Sequence, residues 1–417
     1  MVHGLTIIPP THPLRGRVSP PGSKSITNRA LLLAALAKGQ SRLTGALKSD
    51  DTRYMAQALR AMGVGIEEPT ETSFLVSGTG GLATPEAPLF LGNAGTAVRF
   101  LTAAAAFVRG SVTLTGDAHM QKRPIGPLIE AMRSLGIEAE APSGCPPVTV
   151  RGSGSFEGTR VSVDAGLSSQ YVSALLMLAP GGRGPVEIVL DGDEIGARGY
   201  IDLTCAAMRH FGADVAPRGA GSWLVQPGPY RAADFHVEPD ASAATYLWAA
   251  EVLTGGAIDL GIAADDFTQP DAKAYQVIRQ FPNLPAVIDG SQMQDAVPTL
   301  AALAAFNRTP VRFVGIANLR VKECDRVAAM ATELSRLRPG LAVEEGDDLV
   351  VTPADAQTFA PARIETYADH RIAMSMALTG LRAPGVTITD PDCVGKTYPA
   401  YWQALSDLGV KLEPVAG

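Results

Sequence analysis

Cysteine is scarce in this sequence. Cys145, Cys205, Cys324 and Cys393 lie far apart and form no C-x-x-C pair. A disulfide framework or a zinc site is therefore not expected, and a reducing compartment fits. Positive charge is also in deficit: the net charge is −7 over 417 residues, and the isoelectric point is about 5.5. Nonspecific nucleic-acid binding needs a broad basic surface. No nucleic-acid partner is expected, and any cluster of cations stands out against an acidic background. Long apolar runs are missing too. The longest, "ALLLAALA" and "LTAAAAFV", are about half the ~20 residues that span a bilayer, so no membrane partner is expected. The opening "MVHGLTIIPPTHPL" lacks the basic head and apolar core of a secretory signal, which reads as a cytoplasmic protein. There is no H-E-x-x-H and no G-x-G-x-x-G in a strand-to-helix setting, and the six histidines are scattered. Neither a metal nor another cofactor is expected.

What is present is the composition of a folded protein, with 46% hydrophobic and 18% charged residues. The length suggests two domains. A pattern recurs six times. "NRALLLAALAKGQSRLTG", "AVRFLTAAAAFVRGSVTLTG", "YVSALLMLAPGGRGPVEIVLDG", "ATYLWAAEVLTGGAIDLG", "VPTLAALAAFNRTPVRFVG" and "RIAMSMALTGLRAPGVTITD" each read as an Ala/Leu helix, a breaker and a β-branched strand. The breakers are Gly39, Gly110, Gly184, Gly255-Gly256, Asn307 and Gly385. A second helix recurs in register, from "TRYMAQALRAMGV" to "YPAYWQALSDLGV"; four of its six copies close on glycine. The copies recur every ~55–75 residues, longer than solenoid repeats. Six α/β units divide into two domains of three.

The leaders of the first-type helices are all polar: "PGSKSITNR", "LGNAGTAVR", "GLSSQ", "EPDAS", "SQMQDA" and "TYADHR". Ser25, Thr96, Ser168 or Ser169, Ser242, Asp295 and Asp369 are expected N-caps. Capping alone does not account for Lys24, Arg29, Arg99 and Arg371, because the helix dipole disfavours cations at an N-terminus. A bound anion satisfies the free N–H groups and the cations together, and Gly92 and Gly95 allow backbone to approach it closely. The expected ligand carries phosphate or carboxylate groups. "GSKS" is not a P-loop, since Ser23 separates Gly22 from Lys24. Lys122 and Arg123 precede Pro124, and Lys396 follows Gly395. In "NLRVKECDRVAAM", Arg320, Lys322, Glu323, Asp325 and Arg326 cluster, and the spacing predicts Lys322 and Arg326 on one helix face. A solvated charged face explains that last segment equally well.

Nine stretches, in order from residue 21 to about 400, resemble the 5-enolpyruvylshikimate-3-phosphate synthase family: "PGSKSITNRALLLAALA", "SDDTRYM", "LGNAGTAVRF", "KRPIGPL", "SSQYVSALLM", "DAVPTLAALA", "NLRVKECDR", "YADHRIAM" and "CVGKTYP". The resemblance implies an α/β (α+β) fold, a two-domain inside-out α/β barrel. Each domain would hold three βαβαββ repeats about a pseudo-threefold. It places residues 1–22 with 238–417 in one domain and 23–237 in the other, with the active site in the cleft between them. It implies transfer of the enolpyruvyl group of phosphoenolpyruvate to the 5-hydroxyl of shikimate 3-phosphate, releasing phosphate through a tetrahedral intermediate. No cofactor is implied, and a monomer is expected. Each phosphate monoester carries roughly −1.5 to −2 charge near neutral pH, so two such substrates in contact need many cations.

Carried over residue by residue, the resemblance puts Lys24, Ser25, Arg29, Ser168, Ser169, Gln170, Tyr200, Asp295, Asn318 and Lys322 on shikimate 3-phosphate. Lys24, Asn93, Gly95, Arg123, Gln170, Arg326, Arg371 and Lys396 fall on phosphoenolpyruvate, with Thr96, Arg99 and His370 in support. Asp295 takes the hydroxyl proton, and Glu323 or Lys24 protonates the methylene carbon. A carboxylate among cations is held ionised, which suits Asp295 as a base but not Glu323 as an acid unless bound anions intervene. Two departures stand out. Ala197 occupies the place of a phosphate-contacting serine, with Arg198 as a substitute contact, and Phe100 occupies the place of a frequent proline. Gly95 keeps the room that implies sensitivity to glyphosate. The rival within the fold is UDP-N-acetylglucosamine enolpyruvyl transferase, but "GDAHMQKRP" has no cysteine where that family carries one. A noncatalytic anion-binding protein would be expected to lose Lys24, Asp295 or Glu323, and all three are present.

Overall fold

The computed structural model describes residues 4–166, 168–192 and 196–415. The chain divides into two compact units, residues 22–238 and residues 1–21 with 239–417. The first holds helices α1 (Lys24–Leu36), α2 (Asp50–Ala61), α3 (Gly95–Ala104), α4 (Gly126–Ser134), α5 (Ser169–Leu178) and α6 (Gly199–His210). The second holds α7 (Ala241–Thr254), α8 (Ala274–Ile278), α9 (Val297–Ala304), α10 (Arg326–Leu337), α11 (His370–Thr379) and α12 (Tyr401–Asp407).

The odd-numbered helices are the Ala/Leu helices of the repeat. Ala and Leu are strong helix formers, and these helices are apolar on all sides, so water must be excluded all round. Leu31, Leu32 and Leu33 of α1 are consecutive and all buried, and every residue of α3, α9 and α11 is buried. Each such leucine contributes about 1.5–3 kcal/mol by leaving water. The even-numbered helices α2, α4 and α10 bury one face only. α2, α4, α6 and α12 are each followed by a left-handed glycine: Gly63, Gly136, Gly212 and Gly409.

The sheets repeat one plan. Strands Leu89–Phe90, Arg109–Thr115, Val148–Ser153 and Glu138–Glu140 lie side by side in that order; the first pair is parallel and the others antiparallel. Arg160–Asp164, Val186–Asp191, Ser222–Val225 and Val215–Pro217 repeat it. So do Val287–Asp289, Val311–Val314, Asp348–Val351 and Ala342–Glu345. With their helices these are βαβαββ units. Two more sheets are completed by distant chain. Phe235–His236 supplies the parallel edge beside Lys38–Thr44, and Gly4–Ile8 is inserted between Val386–Ile388 and Lys411–Val415. The sixth sheet has only two strands, Arg15–Arg17 and Ala257–Asp259, so the sixfold pattern is complete in five copies and reduced in one. The fold is α/β with helices inside. Among the described residues the sheets are separate, and none closes into a barrel. Nor is any helix among them long and apolar enough to cross a membrane.

Gly39 and Gly110 do not break helices as expected; both lie inside the following strands. The helices end earlier, α1 at an extended Ala37 and α3 through a 3-10 turn at Ala105–Phe107. Two other glycines fix how sheet meets helix. A Cβ on Gly78 would lie 2.2 Å from the Ala37 carbonyl oxygen, and one on Gly152 would lie 2.3 Å from that of Val108. These positions are equivalent in neighbouring repeats, and backbone approaches backbone at both. Gly152→Ala is expected to cost roughly 1–3 kcal/mol of overpacking strain. The measurement is a urea midpoint that falls with an unchanged slope.

Candidate active site

Several of the residues singled out by sequence fall in or beside the first turns of the buried helices. In the unit of residues 22–238, α1 is capped by Ser23, whose hydroxyl accepts from the Ile26 N–H at 3.4 Å. Lys24 and Ser25 are therefore inside the first turn, and Ser25 is not the cap. The Lys24 Nζ lies 3.4 Å from Asp51 Oδ2 in the first turn of α2, and both side chains are buried. Ser168 caps α5, accepting from the Gln170 N–H at 3.2 Å, and Ser169 opens that helix. α3 begins after Ala94, so Thr96 is not a cap either; its hydroxyl accepts from Gln170 Nε2 at 3.1 Å. Arg99 donates to Gln170 Oε1 at 2.7 Å and lies over the Tyr171 ring. These contacts bring the first turns of α3 and α5 together.

Arg29 is almost fully buried on α1. It donates to Thr204 Oγ1 at 2.7 Å, to the Ser25 carbonyl at 2.9 Å, to Ser173 Oγ at 3.2 Å and to the Tyr200 carbonyl at 3.3 Å. Its guanidinium lies 5.0 Å from the centre of the Phe100 ring. Among the described residues no carboxylate is a hydrogen-bond partner, and burial pushes the guanidinium down to about 10. Phe100, a departure at the sequence level, is thus the aromatic floor under this cation. Arg123 donates to the Asn93 carbonyl and amide oxygens at 3.3 and 3.2 Å. A Cβ on Gly95 would come within 2.5 Å of the Arg123 guanidinium, so glycine is required for that placement. Ala197 is buried with φ 55°, and Arg198 turns to the Ala220 carbonyl.

The other unit holds its cations differently. Asp240 caps α7, accepting from the Ala243 N–H at 2.9 Å, so Ser242 is not the cap. Asp295 lies in a 3-10 turn, Gln294–Ala296, and α9 is entered through Ala296. Its carboxylate is therefore not a cap. It accepts from Arg326 Nη1 at 3.0 Å and Arg371 Nη2 at 2.8 Å. Arg326 also donates to Glu323 Oε2 and Asp369 Oδ2, each at 2.7 Å. Burial opposes its charge, but Asp369, Glu323 and Asp295 outweigh that and hold the guanidinium above its usual value. Asp369 does cap α11, accepting from the Arg371 N–H at 2.9 Å. Arg371 reaches the Tyr246 hydroxyl at 3.3 Å, and Lys396 Nζ lies 3.7 Å from Glu323 Oε1. Asn318 bonds Gln294. His370 is fully buried, with Nδ1 3.6 Å from Asp369.

The expected shared face of Lys322 and Arg326 is not formed. Asp325 caps α10, so Lys322 lies before the helix, after a 3-10 turn at Ala317–Val321. Arg320 instead joins an outer charge network with Asp325, Glu344 and Asp347. Sequence reasoning gave no role to Asp51, nor to Asp369 beyond capping. Both stand in quoted motifs, "SDDTRYM" and "YADHRIAM", and their acidity beside helix starts was the available signal.

The family model described as EPSP synthase (3-phosphoshikimate 1-carboxyvinyltransferase) matches residues 8–405. The chain belongs to the EPSP synthase family. It is 70% identical to a 3-phosphoshikimate 1-carboxyvinyltransferase of Rhizobium etli (strain CIAT 652) over 97% of each chain. The one of Pseudomonas syringae pv. syringae (strain B728a) is 64% identical over 98% of each. A solved EPSP synthase from Acinetobacter baumannii superposes with a TM-score of 0.79 at 26% identity, covering 98% of this chain and 99% of that one. As an EPSP synthase the chain is an enzyme, a transferase of aromatic amino-acid biosynthesis. The sugar-nucleotide rival is not favoured.

The environment of Arg29 yields a prediction for this EPSP synthase. A buried cation without a carboxylate costs several kcal/mol of desolvation, more than its neutral hydrogen bonds return. Arg29→Met is expected to raise stability by roughly 1–3 kcal/mol while losing the stabilisation that added phosphate gives the wild type. Thermal melts with and without phosphate check both.

Proposed function

We propose that the two cation sets serve phosphoenolpyruvate and shikimate 3-phosphate. The observation that carries this reading is the bridging of Arg326 and Arg371 by Asp295, within a chain of the EPSP synthase family. Arg326, Arg371, Lys396, Arg123, Gln170, Asn93 and Gly95 take phosphoenolpyruvate. Arg29, Ser25, Ser168, Ser169, Gln170, Tyr200, Asn318 and Lys322 take shikimate 3-phosphate. Lys24 touches both. Thr96, Arg99 and His370 hold these groups in place.

In the forward reaction the 5-hydroxyl oxygen attacks C2 of phosphoenolpyruvate while Asp295 takes its proton. C3 gains a proton and becomes a methyl group, giving the tetrahedral intermediate. The bond from C2 to the phosphate oxygen then breaks, phosphate leaves, and the methyl group returns a proton. Two groups compete for the C3 proton. Glu323 faces Arg326 and Lys396, a setting that favours the carboxylate until substrate anions draw those cations away. Lys24 sits beside Asp51. We assign the C3 proton to Glu323. The enzyme is proposed to act as a cytoplasmic monomer without nucleic-acid partners.

The test is phosphate release from phosphoenolpyruvate with shikimate 3-phosphate as acceptor. UDP-N-acetylglucosamine is the control, and release is expected with the shikimate ester only. Glu323→Gln is expected to slow deuterium entry at C3 in heavy water about 100-fold with little change in substrate affinity. Lys24→Met giving that pattern instead would reverse the assignment. Gly95 leaves space beside Arg123, so glyphosate is expected to inhibit. Gly95→Ala, by displacing that guanidinium, is expected to raise both the inhibition constant and the KM for phosphoenolpyruvate.

A further inference from the structure

Helix α10 carries a buried carboxylate that the transfer chemistry does not use. Glu333 is fully buried. It stands two turns beyond Arg326, which places both side chains on one face of the helix. Its Oε1 accepts from the Tyr367 hydroxyl at 2.7 Å. Its Oε2 accepts from the Glu365 N–H at 3.0 Å and from Arg336 Nε at 2.8 Å. From the same face Arg326 grips Asp369. α10 therefore holds the segment 365–369 at both ends.

Between the two grips the backbone takes an unfavourable path. Tyr367 and Ala368 have φ values of 55° and 53°. L residues rarely adopt this left-handed region, and two in succession persist only where the surroundings over-determine them. The corner is closed by the Asp369 N–H donating to the Thr366 carbonyl at 2.8 Å. Directly after it, Asp369 caps α11 and Arg371 turns to Asp295. Relaxing the corner would move both. Burial and the Glu333 carboxylate push the Tyr367 phenol up to about 12, so it stays a donor at neutral pH.

We infer that Glu333 and Tyr367 are positioning residues for phosphoenolpyruvate: they hold the left-handed corner 367–368 that sets Asp369 and Arg371. This rests on the assignment of Arg371 to phosphoenolpyruvate made above.

The experiment uses the full chain with Tyr367→Phe, Glu333→Ala and Glu333→Gln, and Arg371→Lys as reference. KM for each substrate, kcat and the thermal midpoint are measured. Tyr367→Phe and Glu333→Ala are expected to raise KM for phosphoenolpyruvate about tenfold, with affinity for shikimate 3-phosphate within about twofold of wild type. Glu333→Gln is expected to restore most of the loss. Its amide oxygen can still accept from the Glu365 N–H, and its NH2 can donate to the Tyr367 oxygen, which then accepts. A merely structural role would lower the thermal midpoint and leave the substrate ratio unchanged; that result overturns the inference. If Glu333→Ala fails to fold, Tyr367→Phe decides. If Arg371→Lys raises KM for phosphoenolpyruvate and Tyr367→Phe does not, positioning alone is overturned. If Arg371→Lys leaves it unchanged, the assignment of Arg371 has failed and the inference falls with it.

Discussion

Six helices with no polar side to turn to water impose one constraint: each must be enclosed along its whole length. Sheets on the outside satisfy it, and every repeat repeats that solution. The helix flanks then carry little polarity, and what they carry must be paired internally. Thr245, Thr299 and Ser375 form such a seam across α7, α9 and α11, with hydroxyls 3.1 and 3.5 Å apart. Ser173 and Thr204, 2.9 Å apart, do the same beside Arg29. Charge is left to the helix ends. There, unsatisfied N–H groups and the dipole favour anions, so the enclosing of the core and the location of the proposed chemistry have one cause.

Arg326 and Arg29 are held in opposite ways. Around Arg326, Asp295, Glu323 and Asp369 compensate the charge in place, and two of them are shared with Arg371 and Lys396. Around Arg29 the described neighbours are hydroxyls, carbonyls and an aromatic face, and among the described residues no carboxylate compensates the charge. On the proposed assignment, the first arrangement exchanges partners when an anionic substrate arrives. The second gains a partner. Preorganised positive charge in a low-dielectric setting is the more strongly attractive to a phosphate, at the expense of stability.

Much of the fold was legible because it rests on local rules. Ala/Leu runs, β-branched strands and left-handed glycines after α2, α4, α6 and α12 are read from neighbours in sequence. The helix starts were less legible. "SKS" offers two hydroxyls, and only packing selected Ser23 over Ser25. Asp295 looked like a cap because aspartate before an apolar helix usually is one, yet a 3-10 turn intervened and freed the carboxylate for two arginines. Lys322 and Arg326 had helical spacing, but Asp325 started the helix between them. Glu333 carried no signal, since an acidic residue within an amphipathic helix normally faces water.

The sequence by itself determined which segments become buried helices, which become strands, that they repeat, and which cations sit at helix starts. Those properties depend on propensity and periodicity over a few residues. Only the tertiary structure decided which charges meet. Arg29 finds Thr204 across 175 positions of sequence, Asp295 finds Arg371 across 76, and Phe235–His236 completes a sheet begun at Lys38. Such pairings depend on which faces close packing brings together, and no local rule encodes them.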